Sequence, residues 1–326
     1  MREIKYREAV AEALKEEMLR DETVFLLGED VGRRGGSYKA TETLLDTFGP
    51  SRVWDTPISE QAIAGAALGA ALAGLRPVAE IMYIDFTGLA MDQIANQCAK
   101  FRFMTGGQAI VPVVIRTQGG AGRGIAAHHS QSLESWFTHL PGLKVVIPAT
   151  PYDVKGLLKT SIRDDNPVIF VEHKLLYLTE GPVPEDQDYL IPLGKADIKK
   201  EGSDITIITW SKMVLDCLEA AVQLEKEGIQ AEVLDLRTLK PLDVEAVIKS
   251  VKKTGRVVIV HEACKTSGFG GELSTVIMEN AFDYLDAPIK RDTSLDAPIP
   301  YAFHLEFAVI PNPKWIIDGV KEVLEQ

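Results

Sequence analysis

Two stretches of this sequence carry acid–base side chains in settings where they can act on a ligand. The first, "DTPISEQAIAGAALGAALAGLRPVAEI" (55–81), sets one carboxylate, Glu60, at the head of a segment built mostly from Ala and Gly. Ser59 suits an N-cap, and Glu60 suits a first helical turn, where the helix field favours an anion, so capping alone accounts for the acid locally. The second, "GIAAHHSQSLESWFTHLPG" (124–142), places His128 and His129 ahead of a helix that Ser130 or Ser132 can cap. Adjacent side chains of an extended segment point opposite ways, so at most one histidine faces a given cleft; the bland reading of either is a structural or surface residue. Carboxyl and imidazole are the usual carriers of general acid–base chemistry, which makes these two stretches the ones to position.

Other constellations fail on spacing. Glycines crowd into "GRRGGS" (32–37), "TGGQ" (105–108) and "TQGGAGRG" (117–124). None is followed by the Gly-Lys-Ser/Thr of a phosphate loop, and "GEDVGRRGG" lacks the compact dinucleotide fingerprint after a first strand. "QGGAGRG" follows an apolar strand and can bind an anion through backbone N–H groups; the alternative is a turn that needs positive φ. "HEAC" brings His261 and Cys264 together with no second ligand pair, so it reads as a strand end and not as a metal centre.

The elements that must hold these residues alternate. Short apolar runs at 23–30, 76–81, 110–117, 143–149 and 167–173 read as strands covered on both faces, and helices are expected at 6–20, 59–73, 86–104 and 151–163. In 6–20 the apolar face is Tyr6, Val10, Ala13, Leu14 and Met18. Residues 177–194, with prolines, repeated acids and no periodicity, read as a linker. A second series follows, with strands at 204–210, 230–239, 256–262 and 287–292 and helices at 212–227, 243–253, 270–285 and 313–326. The expected fold class is therefore α/β with two parallel-sheet domains, residues 1–180 and 195–326, joined by 181–194.

Length and composition agree. At 326 residues the chain exceeds what one core usually fills. With 35 Lys plus Arg against 47 Asp plus Glu, the formal charge of -12 argues against nucleic acid as a partner. No uncharged apolar run reaches membrane-spanning length, the N-terminus has no cleavage signature, and three scattered cysteines do not make a disulfide framework. The expectation is a cytoplasmic protein away from the membrane.

With these residues in view, "GED", "DTPISEQAIAGAALGAALAGLRPVAEI", "YIDFTGLAMDQIANQCAKFRFMTGG", "HHSQSLESWFTHLPGLKVVIPATPYDVKGLL", "IRDDNPVIFVEHKLLY" and "AEVLDLRTLKPLD" resemble the beta subunits of the thiamine-diphosphate-dependent 2-oxo acid dehydrogenases, from about residue 3 to the C-terminus. The resemblance implies a transketolase-like pyrimidine-binding domain followed by a transketolase-like C-terminal domain. It implies that Glu60 hydrogen-bonds ring nitrogen N1′ of the cofactor's aminopyrimidine, with Ile58, Met82 and Phe86 as further cofactor contacts. Met82 stands where some relatives carry glutamine. His129 matches the family's active-site histidine through the "HSQ" register, while His128 departs from a common glutamine and leaves a swap of the two open. Val113, Ser161, Ile162, Asp164 and Asn166 match a structural potassium loop; read alone, "SIRDDNP" is an ordinary helix-to-strand turn.

The chain has neither the Gly-Asp-Gly opening nor the Asn-rich continuation of a diphosphate–Mg site. By the resemblance, an alpha subunit holds the diphosphate and Mg in an α2β2 heterotetramer, with a lipoyl acyltransferase core as further partner. The small residues Gly65, Gly69 and Ala73 then lie near the alpha contact, although internal helix packing explains them equally. The expected activity is the decarboxylating step of a 2-oxo acid dehydrogenase, foremost pyruvate, with transfer of the acyl group to lipoamide. Acetoin dehydrogenase and branched-chain 2-oxo acid dehydrogenase beta subunits are the alternatives within the family. A self-contained transketolase-like transferase and a noncatalytic assembly subunit are the alternatives outside it.

Overall fold

A computed structural model describes residues 1–326, which form two compact units: Met1–Gly119 with Trp136–Leu193, and Gly120–Ser135 with Gly194–Gln326. The chain runs β1 (Arg2–Lys5), α1 (Tyr6–Arg20), β2 (Val24–Gly28), α2 (Leu44–Phe48), β3 (Val53–Asp55), α3 (Glu60–Leu72), β4 (Arg76–Ile81), α4 (Ala99–Met104), β5 (Val114–Gly119), α5 (Glu134–Thr138), β6 (Lys144–Val146), α6 (Pro151–Arg163), β7 (Val168–His173) and β8 (Glu180–Val183). It continues through β9 (Asp197–Lys200), β10 (Ile205–Thr209), α7 (Met213–Lys226), β11 (Ala231–Asp235), β12 (Thr238–Lys240), α8 (Val244–Thr254), β13 (Val257–Cys264), α9 (Phe269–Ala281), β14 (Lys290–Ser294), α10 (Phe303–Val309) and α11 (Pro313–Leu324).

In the first unit β6-β7-β5-β4-β2-β3 lie side by side, every neighbour parallel. Every residue of β2, β5 and β7 is buried, as a sheet with both faces covered requires. α1 buries Tyr6, Ala9, Val10, Ala13, Leu14 and Met18 and packs on α6. The α6 start is fixed by Thr150, whose side chain accepts from Asp153 N, and by Pro151 in the first turn.

In the second unit the order is β14-β13-β10-β11-β9, parallel except for the antiparallel edge strand β9. Its core gathers Ile205, Ile207, Val233, Val258 and Val260 of the sheet with Leu224 of α7 and Ile316, Val320 and Val323 of α11. Asp243 caps α8 by accepting from Ala246 N, and Gly255 ends it in the left-handed conformation.

Three local expectations are corrected. The helix expected at 86–104 is a 3-10 segment, Ile84–Ala90, then a π segment, Asp92–Cys98, and only then α4. Thr87 Oγ1 donates to Ile84 O at 2.5 Å within the first of these, tightening the turn. The expected linker contains β8, which pairs antiparallel with β1, Arg2 opposite Val183 and Lys5 opposite Glu180. Ser59 occupies the N-cap of α3, but its side chain makes no capping bond.

Candidate active site

Parallel strands deliver their C-terminal ends to one edge, the usual place for a ligand in an α/β sheet. In the first unit Gly28 of β2 pairs with Asp55 of β3 on one side and Glu80 of β4 on the other, so the chain leaves all three strands in step. Those exits carry Glu29, the Ile58–Glu60 turn, and the Met82–Phe86 segment. A side chain at Gly28 would put its Cβ 2.7 Å from Glu80 O, so glycine is what lets β2 and β4 approach here.

Glu60 is the first residue of α3 and 8% exposed. Its carboxylate forms no hydrogen bond or ion pair within the chain. Its electrostatic neighbour is another acid: Glu29 has its carboxyl raised by burial and by the charges of Asp30 and Glu60. With no donor from this chain, the Glu60 carboxylate is available as an acceptor to an N–H or O–H brought by a ligand. Ile58, two residues earlier, is 73% exposed, a large apolar side chain without cover. Met82 is half-buried and its sulfur accepts from Ser37 Oγ. Phe86 is half-buried in the 3-10 segment that packs on α3, with Phe86 N donating to Tyr83 O at 2.9 Å. The structure therefore gathers Ile58, Glu60, Met82 and Phe86 at one sheet edge.

Under this edge lies a buried charge cluster. Arg116 of β5 is fully enclosed; its Nη1 donates to Glu80 Oε2 at 2.7 Å, and Nε and Nη2 donate to Glu172 Oε1 and Oε2 at 2.7 and 2.9 Å. Tyr177 Oη donates to Glu172 Oε2 at 2.5 Å. One cation serves two carboxylates. Glu172 takes the bidentate fork, and the Glu80 carboxyl is pushed up by burial and by Glu172 against the pull of Arg116.

His128 and His129 lie in the second unit, on the segment Gly120–Ser135. They form a short 3-10 turn, Ala127–His129, with His129 N donating to Ala126 O at 3.2 Å. His128 is exposed and lines a cavity of about 610 Å³ with Glu262, Cys264, Thr266 and Asp296, whereas His129 is half-buried and is not on its wall. The glycine loop that precedes them is not vacant: Gly122 N and Gly124 N donate to the two oxygens of Glu306 at 2.6 and 2.8 Å, and Ala121 N donates to Glu262 Oε1 at 2.5 Å. Both readings of "QGGAGRG" thus hold together, a positive-φ turn that is also an anion nest, with a carboxylate of the same chain in it.

The last turn of α6 and the turn after it bring together Ser161, Ile162, Asp164 and Asn166, and Val168 N donates to Val113 O at 2.9 Å. Basic groups already sit on its oxygens. Arg76 Nη1 donates to Ile162 O at 3.1 Å and to Asp164 O at 3.2 Å, Lys144 pairs with the Asp164 carboxylate, and Arg102 Nη1 donates to Asn166 Oδ1 at 2.9 Å. The hydrogen bonds of Lys144 and Asn166, together with the Lys144 charge, hold Asp164 below the usual carboxylate range despite burial. The donor set suits a hard cation, but one that must share oxygens with these three side chains.

Comparison with known proteins fits this architecture. Residues 2–179 match the transketolase pyrimidine-binding domain and residues 194–316 the transketolase C-terminal domain. The chain is 49% identical to the pyruvate dehydrogenase E1 component subunit beta of Rickettsia felis, with 98% of each chain covered. It is 48% identical to the 2-oxoisovalerate dehydrogenase subunit beta of Bacillus subtilis, over 98% of each. The chain belongs to the 2-oxo acid dehydrogenase beta subunits. A solved structure described as a split gene transketolase, inactive beta4 tetramer, matches with a TM-score of 0.81 and 26% identity, covering 99% of this chain and 98% of that one.

Within this beta-subunit fold, sequence reasoning missed Glu29, Glu80, Arg116, Glu172 and Glu306. Glu29, Glu80 and Glu172 stand in the motifs that carry the resemblance but have no local pattern that marks them. Arg116 and Glu306 acquire partners 36 to 184 residues away in the chain. No helix is long and apolar enough to cross a membrane.

Proposed function

We propose that the chain supplies the pyrimidine side of a thiamine-diphosphate site in the decarboxylating component of a 2-oxo acid dehydrogenase, with pyruvate as substrate and lipoamide as acyl acceptor. One observation carries this reading: Glu60, a shielded carboxylate at the C-terminal edge of a parallel sheet, has no hydrogen-bond partner of its own. A ring nitrogen that shares a proton with it resolves that deficit. The cofactor, when bound, supplies the carbon nucleophile that attacks the substrate's keto group. Glu60 holds the proton at N1′, a role that aspartate would reach less well by one methylene. Ile58 and Phe86 offer apolar cover to a flat ring, and Met82, its sulfur already engaged by Ser37, adds bulk in place of a polar contact. His129 serves as proton donor near the reacting oxygen and in acyl transfer, with His128 as the alternative of the pair.

The chain lacks residues for the diphosphate and its Mg, so an alpha subunit is assigned both, in an α2β2 unit that docks on a lipoyl acyltransferase core in the cytoplasm. α3 supports the alpha contact: it is apolar nearly all round, yet Gly69, Leu72 and Ala73 are exposed in the single chain, and nothing lies within 4 Å of a Cβ at Gly69. Potassium at Val113, Ser161, Ile162, Asp164 and Asn166 is a smaller part of the same reading, sharing the turn with Arg76 and Lys144; a thermal shift specific to K⁺ over equal Na⁺ tests it.

The test is co-purification with the native alpha subunit and assay with thiamine diphosphate, Mg and lipoamide against pyruvate, branched 2-oxo acids and acetoin. The reading expects no turnover by this chain alone and a preference for pyruvate in the complex. The 48% identity to a 2-oxoisovalerate dehydrogenase subunit makes branched acids the second reading. Turnover by the isolated chain overturns the shared site. An assembled complex that binds cofactor with unchanged affinity after loss of Glu60 and Phe86 favours a noncatalytic role.

A further inference from the structure

We infer that Glu306 is a positioning residue for the histidine loop, acting as a built-in anion that holds the glycine nest from which His128 and His129 project. The inference rests on the reading that a histidine of this loop takes part in the reaction. Glu306, on α10, is fully enclosed. A buried carboxylate ordinarily has a cation beside it, and Glu306 has none: Gly122 N and Gly124 N take one oxygen each, at 2.6 and 2.8 Å. These are charge-assisted bonds to backbone, so they fix the chain path itself and not a side chain.

The loop needs such an anchor. Gly120, Gly122 and Gly124 have φ of +89°, +95° and +63°, and Ala126 has φ of +62° without being glycine. A segment with this alternation cannot join a strand ladder, so its N–H groups must find other acceptors. Ala121 N uses Glu262, and Gly120 N closes the loop by donating to Gln131 O at 3.0 Å. His128 and His129 sit inside the closed loop, two and three residues beyond Ala126, and Ala127, His128, Ser130 and Gln131 line the cavity. Glu306 therefore clamps one limb of a loop whose other limb carries the imidazoles.

The substitutions follow from the geometry. Glu306→Gln keeps the shape but turns an NH₂ towards one of the two N–H donors. Glu306→Ala empties the nest, which a small carboxylate such as acetate can refill and the neutral isostere acetamide cannot. Both variants, with His129→Ala in parallel, are examined in the complex with the alpha subunit. Hydrogen exchange of residues 118–131 and single-turnover acyl transfer to lipoamide are the two readouts. Glu306→Ala is expected to speed exchange at Gly122 and Gly124 at least about 10-fold and to slow transfer about 10- to 100-fold, the scale of a small misplacement of a reacting group. Glu306→Gln is expected to fall between, and acetate but not acetamide to restore both readouts in Glu306→Ala.

Unchanged exchange in both variants overturns the anchor. Faster exchange with unchanged transfer, while His129→Ala is impaired, overturns the positioning role and leaves the proposed function standing. If His129→Ala also transfers normally, the histidine reading fails and the positioning role falls with it, while exchange still decides the anchor. Should Glu306→Ala fail to assemble, Glu306→Gln carries the same comparison.

Discussion

Replacing Arg116 with methionine removes the only cation from a site that holds two enclosed carboxylates. At pH 7 the partners have two choices: remain charged in a poorly solvated sheet interior, or take up protons. Glu80, already pushed up by burial and by Glu172, yields first. Leaving two enclosed carboxylates without their cation should cost the ~3–5 kcal/mol typical of breaking a buried pair from one side. The sign with pH follows: the folded Glu80 carboxyl, already raised and now without the pull of Arg116, sits above its unfolded value, so the penalty shrinks as pH falls. Urea unfolding at pH 7.0 and 5.5 should show a loss of about 4 kcal/mol shrinking to about 2 kcal/mol, from 1.5 units at 1.36 kcal/mol each. Glu80→Gln and Glu172→Gln added to Arg116→Met should recover most of the loss. A single variant within about 1 kcal/mol of the parent, or a loss independent of pH, refutes the reasoning, since surface pairs behave that way.

Two further outcomes are expected. Asp292, 3% exposed against α11, has its carboxyl pushed up to about 6 by burial, with Lys290 and Lys265 opposing and Glu322 and Asp318 adding to the rise. The stabilisation this brings is complete below about pH 4 and lost as pH passes 6, so the stability of Asp292→Asn relative to the parent should improve by about 3 kcal/mol between pH 4 and 7; a constant difference contradicts it. Cys98 and Cys217 are buried, the Cys98 thiol pushed up to about 12 and Cys217 higher, while Cys264 is exposed. A thiol reagent at pH 8 followed by mass spectrometry should label Cys264 in the native chain and the other two only after unfolding, and equal rates would sink that assignment.

What the sequence disclosed tracks the range of the interactions involved. Strands such as Val168–His173 and helices such as Tyr6–Arg20 announce themselves because burial on both faces, or on one stripe, leaves a local pattern. The strand Glu180–Val183 did not, because its partner is Arg2–Lys5 at the other end of the unit, and prolines made the stretch resemble a linker. The run 86–104 has helical composition, yet it folds as 3-10, π and α segments in turn, a distinction that hydrophobic spacing does not encode. Glu60 was legible as a candidate through its odd company, and the structure adds the fact composition lacked, that no group of this chain answers it. Arg116 and Glu306 were invisible because a charged residue in a strand or a short helix looks solvated until its distant partners are known.

The central claim concerns one proton. In the complex with the alpha subunit, the rate of deuterium exchange at C2 of bound thiamine diphosphate reports directly on whether Glu60 drives cofactor activation. Glu60→Gln should lower that rate by roughly 100-fold or more, the low end for a positioned acid–base group, without loss of assembly. An exchange rate equal to the parent's in an intact, cofactor-bound complex would contradict the account.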